Sequence, residues 1–176
     1  ALSLASGHLP AGCDVVRLDF PMTRNATVLE AAWKKNARTV EDILRSGRNA
    51  AFLTLGDPMT YSTFGYLMRT ILDLDTDLPV EVVPGITSYQ AAAAQTRTVL
   101  CEGGESRLPM SGIHGGERLG RLLEGADSSV FLKAYKNMPA ILKARKDAGM
   151  GEEGLFVARL GGAGAAVARG VDAAPR

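Results

Sequence analysis

Residues 49–63 and 80–88 follow the same course twice. Each begins as an apolar run, breaks at glycine and proline, and reaches hydroxyl residues where a helix can start. In the first, residues 49–55 (NAAFLTL) run into Gly56-Asp57-Pro58 and then Ser62-Thr63. In the second, residues 80–83 (VEVV) run into Pro84-Gly85 and then Thr87-Ser88. A short, nearly continuous apolar run is how a strand covered on both faces reads. Two such strands, each followed by a helix, demand crossovers and therefore a parallel sheet.

The flanking sequence extends the pattern. Residues 13–20 (CDVVRLDF) read as a strand with Val15, Val16 and Leu18 as its apolar content, closed by Pro21-Met22-Thr23-Arg24. From about Asn25 to Arg45 the apolar positions Val28, Leu29, Ala32, Trp33, Ala37, Val40, Ile43 and Leu44 recur at three and four, which predicts a helix. Asn25 is its expected N-cap and Gly47 its stop. Ser62 or Thr63 starts a second helix through Leu74, and Tyr89 to Gln95 forms an alanine-rich third. The first half thus reads β-α-β-α-β-α, with the turns at 56–58 and 84–88 at the carboxyl ends of strands. In open α/β sheets that edge is where ligands bind.

Beyond residue 86 the texture changes. Residues 99–116 are rich in Gly and Ser and poorly periodic. Residues 128–133 read as a strand, Asn137 and Pro139 start a helix that Gly149 stops, and 154–160 with 165–170 form two strands about Gly161-Gly162. The expected fold class is α/β. It comprises an N-terminal domain over 1–85 with a mostly parallel sheet and a C-terminal domain over 86–176 with a mixed sheet.

The whole-chain numbers exclude several classes. Twenty Lys and Arg oppose nineteen Asp and Glu, so no basic nucleic-acid footprint exists in the total. A local basic pocket for an acidic ligand stays open. No apolar run approaches the length that crosses a bilayer, and the first ten residues do not read as a signal peptide. Cys13 and Cys101 lie far apart and His8 and His114 do not cluster, so neither a metal cage nor a disulfide framework is expected. These features predict a cytoplasmic protein with no metal, no membrane and no nucleic-acid partner. The chain starts at Ala1 without Met.

Each glycine turn has two readings. One is a strand-to-helix turn with a capping hydroxyl. The other is a ligand site in which glycine admits close backbone approach and helix N–H groups meet polar atoms. Two such turns on one sheet edge raise the second. Neither fits G-x-G-x-x-G or the P-loop, so no dinucleotide or ATP phosphate site is indicated. No G-x-S-x-G elbow is present, and both histidines read as ordinary surface residues. Asp57 reads as a turn carboxylate ahead of a general base, and Lys133 as a solvated sheet edge ahead of a cleft residue.

Gly56-Asp57-Pro58-Met59-Thr60-Tyr61-Ser62-Thr63-Phe64 and Val82-Val83-Pro84-Gly85-Ile86-Thr87-Ser88 resemble the tetrapyrrole (class III) S-adenosylmethionine-dependent methyltransferases. Phe20-Pro21-Met22-Thr23, Tyr61-Ser62-Thr63 and Phe131-Leu132-Lys133 resemble the branch that methylates C20 of precorrin-2 or cobalt-factor II in cobalamin synthesis. The resemblance covers roughly Ala1 to Gly170 and is strongest from 15 to 95. It implies two α/β domains with a ligand cleft between them, usually in a homodimer. It implies S-adenosylmethionine as methyl donor and S-adenosylhomocysteine as product, held largely by backbone groups. Gly56, Asp57 and Thr60 match the first cofactor loop, Thr87 and Ser88 the second, Lys133 and Ala134 a strand-end contact, and Arg159 and Leu160 a looser last one. Against the family pattern, the chain is expected to lack an opening strand with a Gly-Pro-Gly loop and a last strand.

The tetrapyrrole carries many carboxylates, so its site should hold arginine or lysine. Arg24, beside the Pro-Met-Thr turn, and Arg97, beyond the second loop, are the candidates, with solvated surface residues as the alternative. No residue is indicated as the base that takes the departing proton. The rival functions are methylation of another tetrapyrrole carbon and a non-catalytic α/β ligand-binding module.

Overall fold

A computed structural model describes residues 2–112, 117–150 and 153–170. In chain order the elements are α1 (Leu2–Ala5), α2 (Ala26–Arg45), α3 (Phe64–Leu74), α4 (Ser88–Thr96), β1 (Arg107–Ser111), α5 (Glu117–Leu123), β2 (Ser128–Leu132), α6 (Met138–Asp147), β3 (Leu155–Ala158) and β4 (Ala166–Arg169). Single 3-10 turns follow α1 and β2. The chain divides into two units, Ala1–Thr87 and Ser88–Arg176.

The N-terminal unit is organised by α2 against α3. Asn25 caps α2, its side-chain oxygen accepting the Val28 N–H at 3.2 Å. At α3 the neighbouring hydroxyl acts instead: Thr63 makes no side-chain cap bond, and Ser62 Oγ accepts the Phe64 N–H at 3.2 Å. Ala37 of α2 and Leu67 and Ile71 of α3 are buried together, with Leu18, Phe20, Val40, Phe52 and Leu78 packed around them. Phe20 meets Phe52 edge-on, and Phe52 leans on Phe64. Asn36, buried on α2, donates to the Asp19 carbonyl at 2.7 Å and ties the stretch before the helix onto it.

The parallel sheet expected here differs from what forms. Residues 13–20, 49–55 and 80–83 join no ladder. The reason lies in their exposure. Val15, Val16, Leu53, Leu55 and Val83 all remain largely open, Leu55 at 62% and Val83 at 71%, so these runs are not covered on two faces. Apolar composition predicted burial that the packing does not supply.

In the C-terminal unit, β1 and β2 pair in parallel, Arg107 opposite Ser128 through Ser111 opposite Leu132. β3 and β4 form a separate antiparallel hairpin. The expected mixed sheet is therefore two small sheets, one of each kind. Met110, Leu119, Leu123, Ile141 and Ala144 form the core between β1, α5 and α6. Both β1 and α5 fall in or beside the stretch read as irregular. Their apolar residues lie too few in a row for either period to stand out. His114 lies outside the described residues.

Two helices in this unit end alike. After α6, Gly149 N–H bonds to the Lys146 carbonyl at 3.1 Å and Met150 N–H to the Arg145 carbonyl at 3.0 Å. After α4, Arg97 N–H bonds to the Ala94 carbonyl at 3.3 Å and Thr98 N–H to the Ala93 carbonyl at 2.9 Å. Both pairs make a Schellman end, which requires a left-handed residue. Gly149 takes φ 68° without strain; at α4 the position is filled by Arg97, at φ 54°.

Candidate functional site

The two glycine turns of the N-terminal unit meet main chain to main chain. A Cβ placed on Gly85 would come 2.9 Å from the Gly56 carbonyl carbon and 3.2 Å from Asp57 Cα. Only glycine fits such an approach. Gly56 itself takes φ 76°, and a Cβ there would lie 3.5 Å from the Ile86 carbonyl oxygen. Thr87, just beyond, is buried.

Asp57 braces the pair. One carboxylate oxygen accepts the Met59 N–H at 2.9 Å and the Thr60 hydroxyl at 3.0 Å. The other reaches across 28 residues to accept the Gly85 N–H at 3.1 Å. The Gly85 N–H holds the Asp57 carboxyl below the usual carboxylate range; partial loss of water opposes this, and the Thr60 hydroxyl and the Met59 and Thr60 amides reinforce it. A carboxyl depressed by folding stabilises the fold above its unfolded pKa and loses that contribution as pH falls through its lower folded value. The brace should therefore persist below the pH at which a free aspartate protonates. The Gly85 amide resonance, followed through an acid titration, should move with a midpoint below that of a free aspartate. A midpoint at or above it would contradict the brace.

The other residues singled out from the sequence stand as follows. Thr60 is drawn into the brace through its hydroxyl. Ser88 opens α4 directly after Thr87. Lys133 and Ala134 follow β2, where Lys133 takes φ 59°. Arg159 and Leu160 lie in the β3–β4 turn, where Arg159 takes φ 52° and its carbonyl accepts the Gly162 N–H at 2.9 Å. Arg24 is exposed in the stretch before α2, and no hydrogen bond joins it to either glycine turn among the described residues. The structure thus gathers Gly56, Asp57, Thr60 and Thr87 about one turn pair. Among the described residues, no cluster of His, Cys, Asp and Glu is arranged to hold a metal.

Gly112, which no sequence motif marks, repeats the close approach in the C-terminal unit. A Cβ there would meet Ala134 Cα at 2.9 Å and the Leu132 carbonyl at 3.1 Å, and its N–H bonds to that carbonyl at 2.7 Å. The four non-glycine residues at positive φ among those described are Tyr61, Arg97, Lys133 and Arg159. Arg97, Lys133 and Arg159 are candidate contacts in the sequence, and Tyr61 adjoins the first turn. Strained backbone of this kind collects at functional sites. Linear spacing carries no signal of it, because a close approach belongs to the folded chain.

The sequence profile of the Tetrapyrrole (Corrin/Porphyrin) Methylases matches residues 1–173. The chain belongs to this family. Among tetrapyrrole methylases, it is 29% identical over 157 residues to the cobalt-precorrin-2 C(20)-methyltransferase of Salmonella typhimurium, covering 89% of this chain and 65% of that one. It is 28% identical over 156 residues to the precorrin-2 C(20)-methyltransferase of Sinorhizobium sp, covering 83% and 62%. The chain therefore spans a little under two thirds of the length of these relatives. The crystal structure of the cobalamin synthesis related protein CobF from Corynebacterium diphtheriae superposes with a TM-score of 0.56 at 20% identity, over 78% of this chain and 57% of that one. The chain thus has the α/β fold of the tetrapyrrole methylases, with small sheets. No described helix is long and apolar enough to cross a membrane.

Proposed function

We propose that this chain transfers a methyl group from S-adenosylmethionine to C20 of precorrin-2 or cobalt-factor II. The substrate comes from the names of the relatives. The observation that carries the cofactor is the braced turn pair, where Gly56 and Gly85 present main chain instead of side chain. A cradle of this kind suits a ligand held by backbone groups.

When bound, S-adenosylmethionine supplies an electrophilic methyl group on a sulfonium. Gly56, Asp57, Thr60, Thr87 and Ser88 are proposed to hold it, with Lys133, Ala134, Arg159 and Leu160 as further contacts. Asp57 acts as a positioning residue. Its charge faces the Met59 and Gly85 amides and the Thr60 hydroxyl, so it is spent inside the turns. That is favourable for the reaction. A carboxylate against a sulfonium would stabilise the reactant more than a transition state in which that charge disperses. The braced turns would then contribute by orientation, holding the cofactor in a fixed position. Arg24 and Arg97 are proposed to meet substrate carboxylates. The family resemblance also supports a cytoplasmic homodimer.

The test offers metal-free precorrin-2 and cobalt-factor II separately, each with carbon-13 methyl-labelled cofactor. Label at C20 of either product is the expected result and names the substrate. Label at another carbon would make the chain a methylase of different regiochemistry. Absence of S-adenosylhomocysteine binding in calorimetry would leave only a ligand-binding module of other specificity.

A further inference from the structure

At the end of α4, Arg97 occupies a left-handed position that Gly149 fills at the matching end of α6. An L side chain there is strained where glycine is not. The helix end is therefore less stable with arginine, and nothing in the cap geometry needs a guanidinium. The side chain's surroundings supply the reason. Arg97 lines an open hollow of about 480 Å3, together with Gln90, Ala93, Thr98, Cys101 and Arg107. Arg107, the first residue of β1, holds its guanidinium 5.3 Å over the Tyr89 ring.

Among the described residues, no carboxylate lines this hollow. Two nearby acids are engaged elsewhere. Glu105 accepts the Glu102 N–H at 3.0 Å, and Asp127 accepts both the N–H and the hydroxyl of Ser106. Among the described residues, neither Arg97 nor Arg107 forms an ion pair. Two arginines line one concave surface, with no described acid lining it beside them, and such a surface attracts an anion. Their planar forks match a carboxylate in particular.

We propose that Arg97 and Arg107 together form a carboxylate-binding site in this hollow, which takes peripheral carboxylates of the tetrapyrrole. The proposal rests on the methyltransferase function above and assigns Arg107, which neither sequence nor family had marked, to substrate recognition. Tyr89 is its positioning residue, since the ring fixes the guanidinium it stacks on.

The test uses the purified chain with two probes: uroporphyrin, a carboxylate-rich tetrapyrrole followed by fluorescence, and S-adenosylhomocysteine, followed by calorimetry. Arg97→Gly should weaken uroporphyrin binding roughly tenfold or more while raising Tm by about 2–4 °C, because the strain at the helix end is relieved. Arg107→Gln should weaken uroporphyrin binding to a similar extent, with little change in Tm. Neither should alter S-adenosylhomocysteine affinity, and added salt should weaken uroporphyrin binding to the parent chain more than to the double variant. Unchanged uroporphyrin affinity in both variants would overturn the site. So would an Arg97→Gly variant that loses Tm and both ligands together, which is the mark of a structural role. If the parent chain binds uroporphyrin through these arginines but not S-adenosylhomocysteine, the methyltransferase function fails and the carboxylate site stands.

Discussion

Gly85→Ala should separate the two turns of the N-terminal unit and lower S-adenosylhomocysteine affinity at least tenfold. The added Cβ falls against the Gly56 carbonyl carbon and Asp57 Cα, at 2.9 and 3.2 Å. These are backbone atoms, which cannot swing aside as a side chain would. The second loop must move away, and the hydrogen bond from Gly85 N–H to Asp57 lengthens or breaks. Forced overpacking of this kind costs about 1–3 kcal/mol, and each kcal/mol lowers Tm by about 2–4 °C in a chain of this size. Gly120→Ala is the control. Gly120 lies in α5 with nothing within 4 Å of an added Cβ, so it should leave Tm level or slightly raised and the ligand unaffected. Parent-like binding in Gly85→Ala, measured by calorimetry, would remove the turn pair as the cofactor cradle.

Asp57→Asn should weaken the same ligand about tenfold without unfolding the chain. Asparagine keeps the shape but accepts through one oxygen only. Its amide nitrogen must face either the Gly85 N–H or the Met59 N–H and Thr60 hydroxyl, and donor then meets donor. Asp57→Glu should not restore binding, because the longer side chain cannot serve both turns from one backbone position. The pH profile separates this from a plain loss of charge near the ligand. The parent should lose affinity in acid with a midpoint below the usual carboxylate range, and the asparagine variant should show no such limb. A variant that keeps the acid limb would assign it to another group.

Local rules made much of this legible. The three-and-four spacing of apolar residues between Asn25 and Arg45 and the capping asparagine place α2 to within a residue. Pro139 and Gly149 bracket α6 in the same way. The glycine turns, too, stand out in the sequence. What escaped is non-local. Apolar content alone made strands of 13–20, 49–55 and 80–83, but a ladder needs a neighbour in register, and composition does not specify one. The link between Asp57 and Gly85 spans 28 residues and has no linear signature. Nor does the hollow that brings Arg107 beside Arg97, since it depends on where β1 lies against the end of α4. Arg97 could be named from its charge, but its strain could be known only from its φ angle.

The division between the two units falls between Thr87 and Ser88. Chains are commonly nicked where units join, because such joints tend to be loose and open. Here each unit orders its own side of the division. Gly85 is tied back to Asp57, Thr87 is buried, and Ser88 is already the first residue of α4. A protease acting on the native chain therefore meets hydrogen-bonded backbone at Gly85 and a helix start at Ser88. The Asp57 brace thus also orders the chain just before the division between the units.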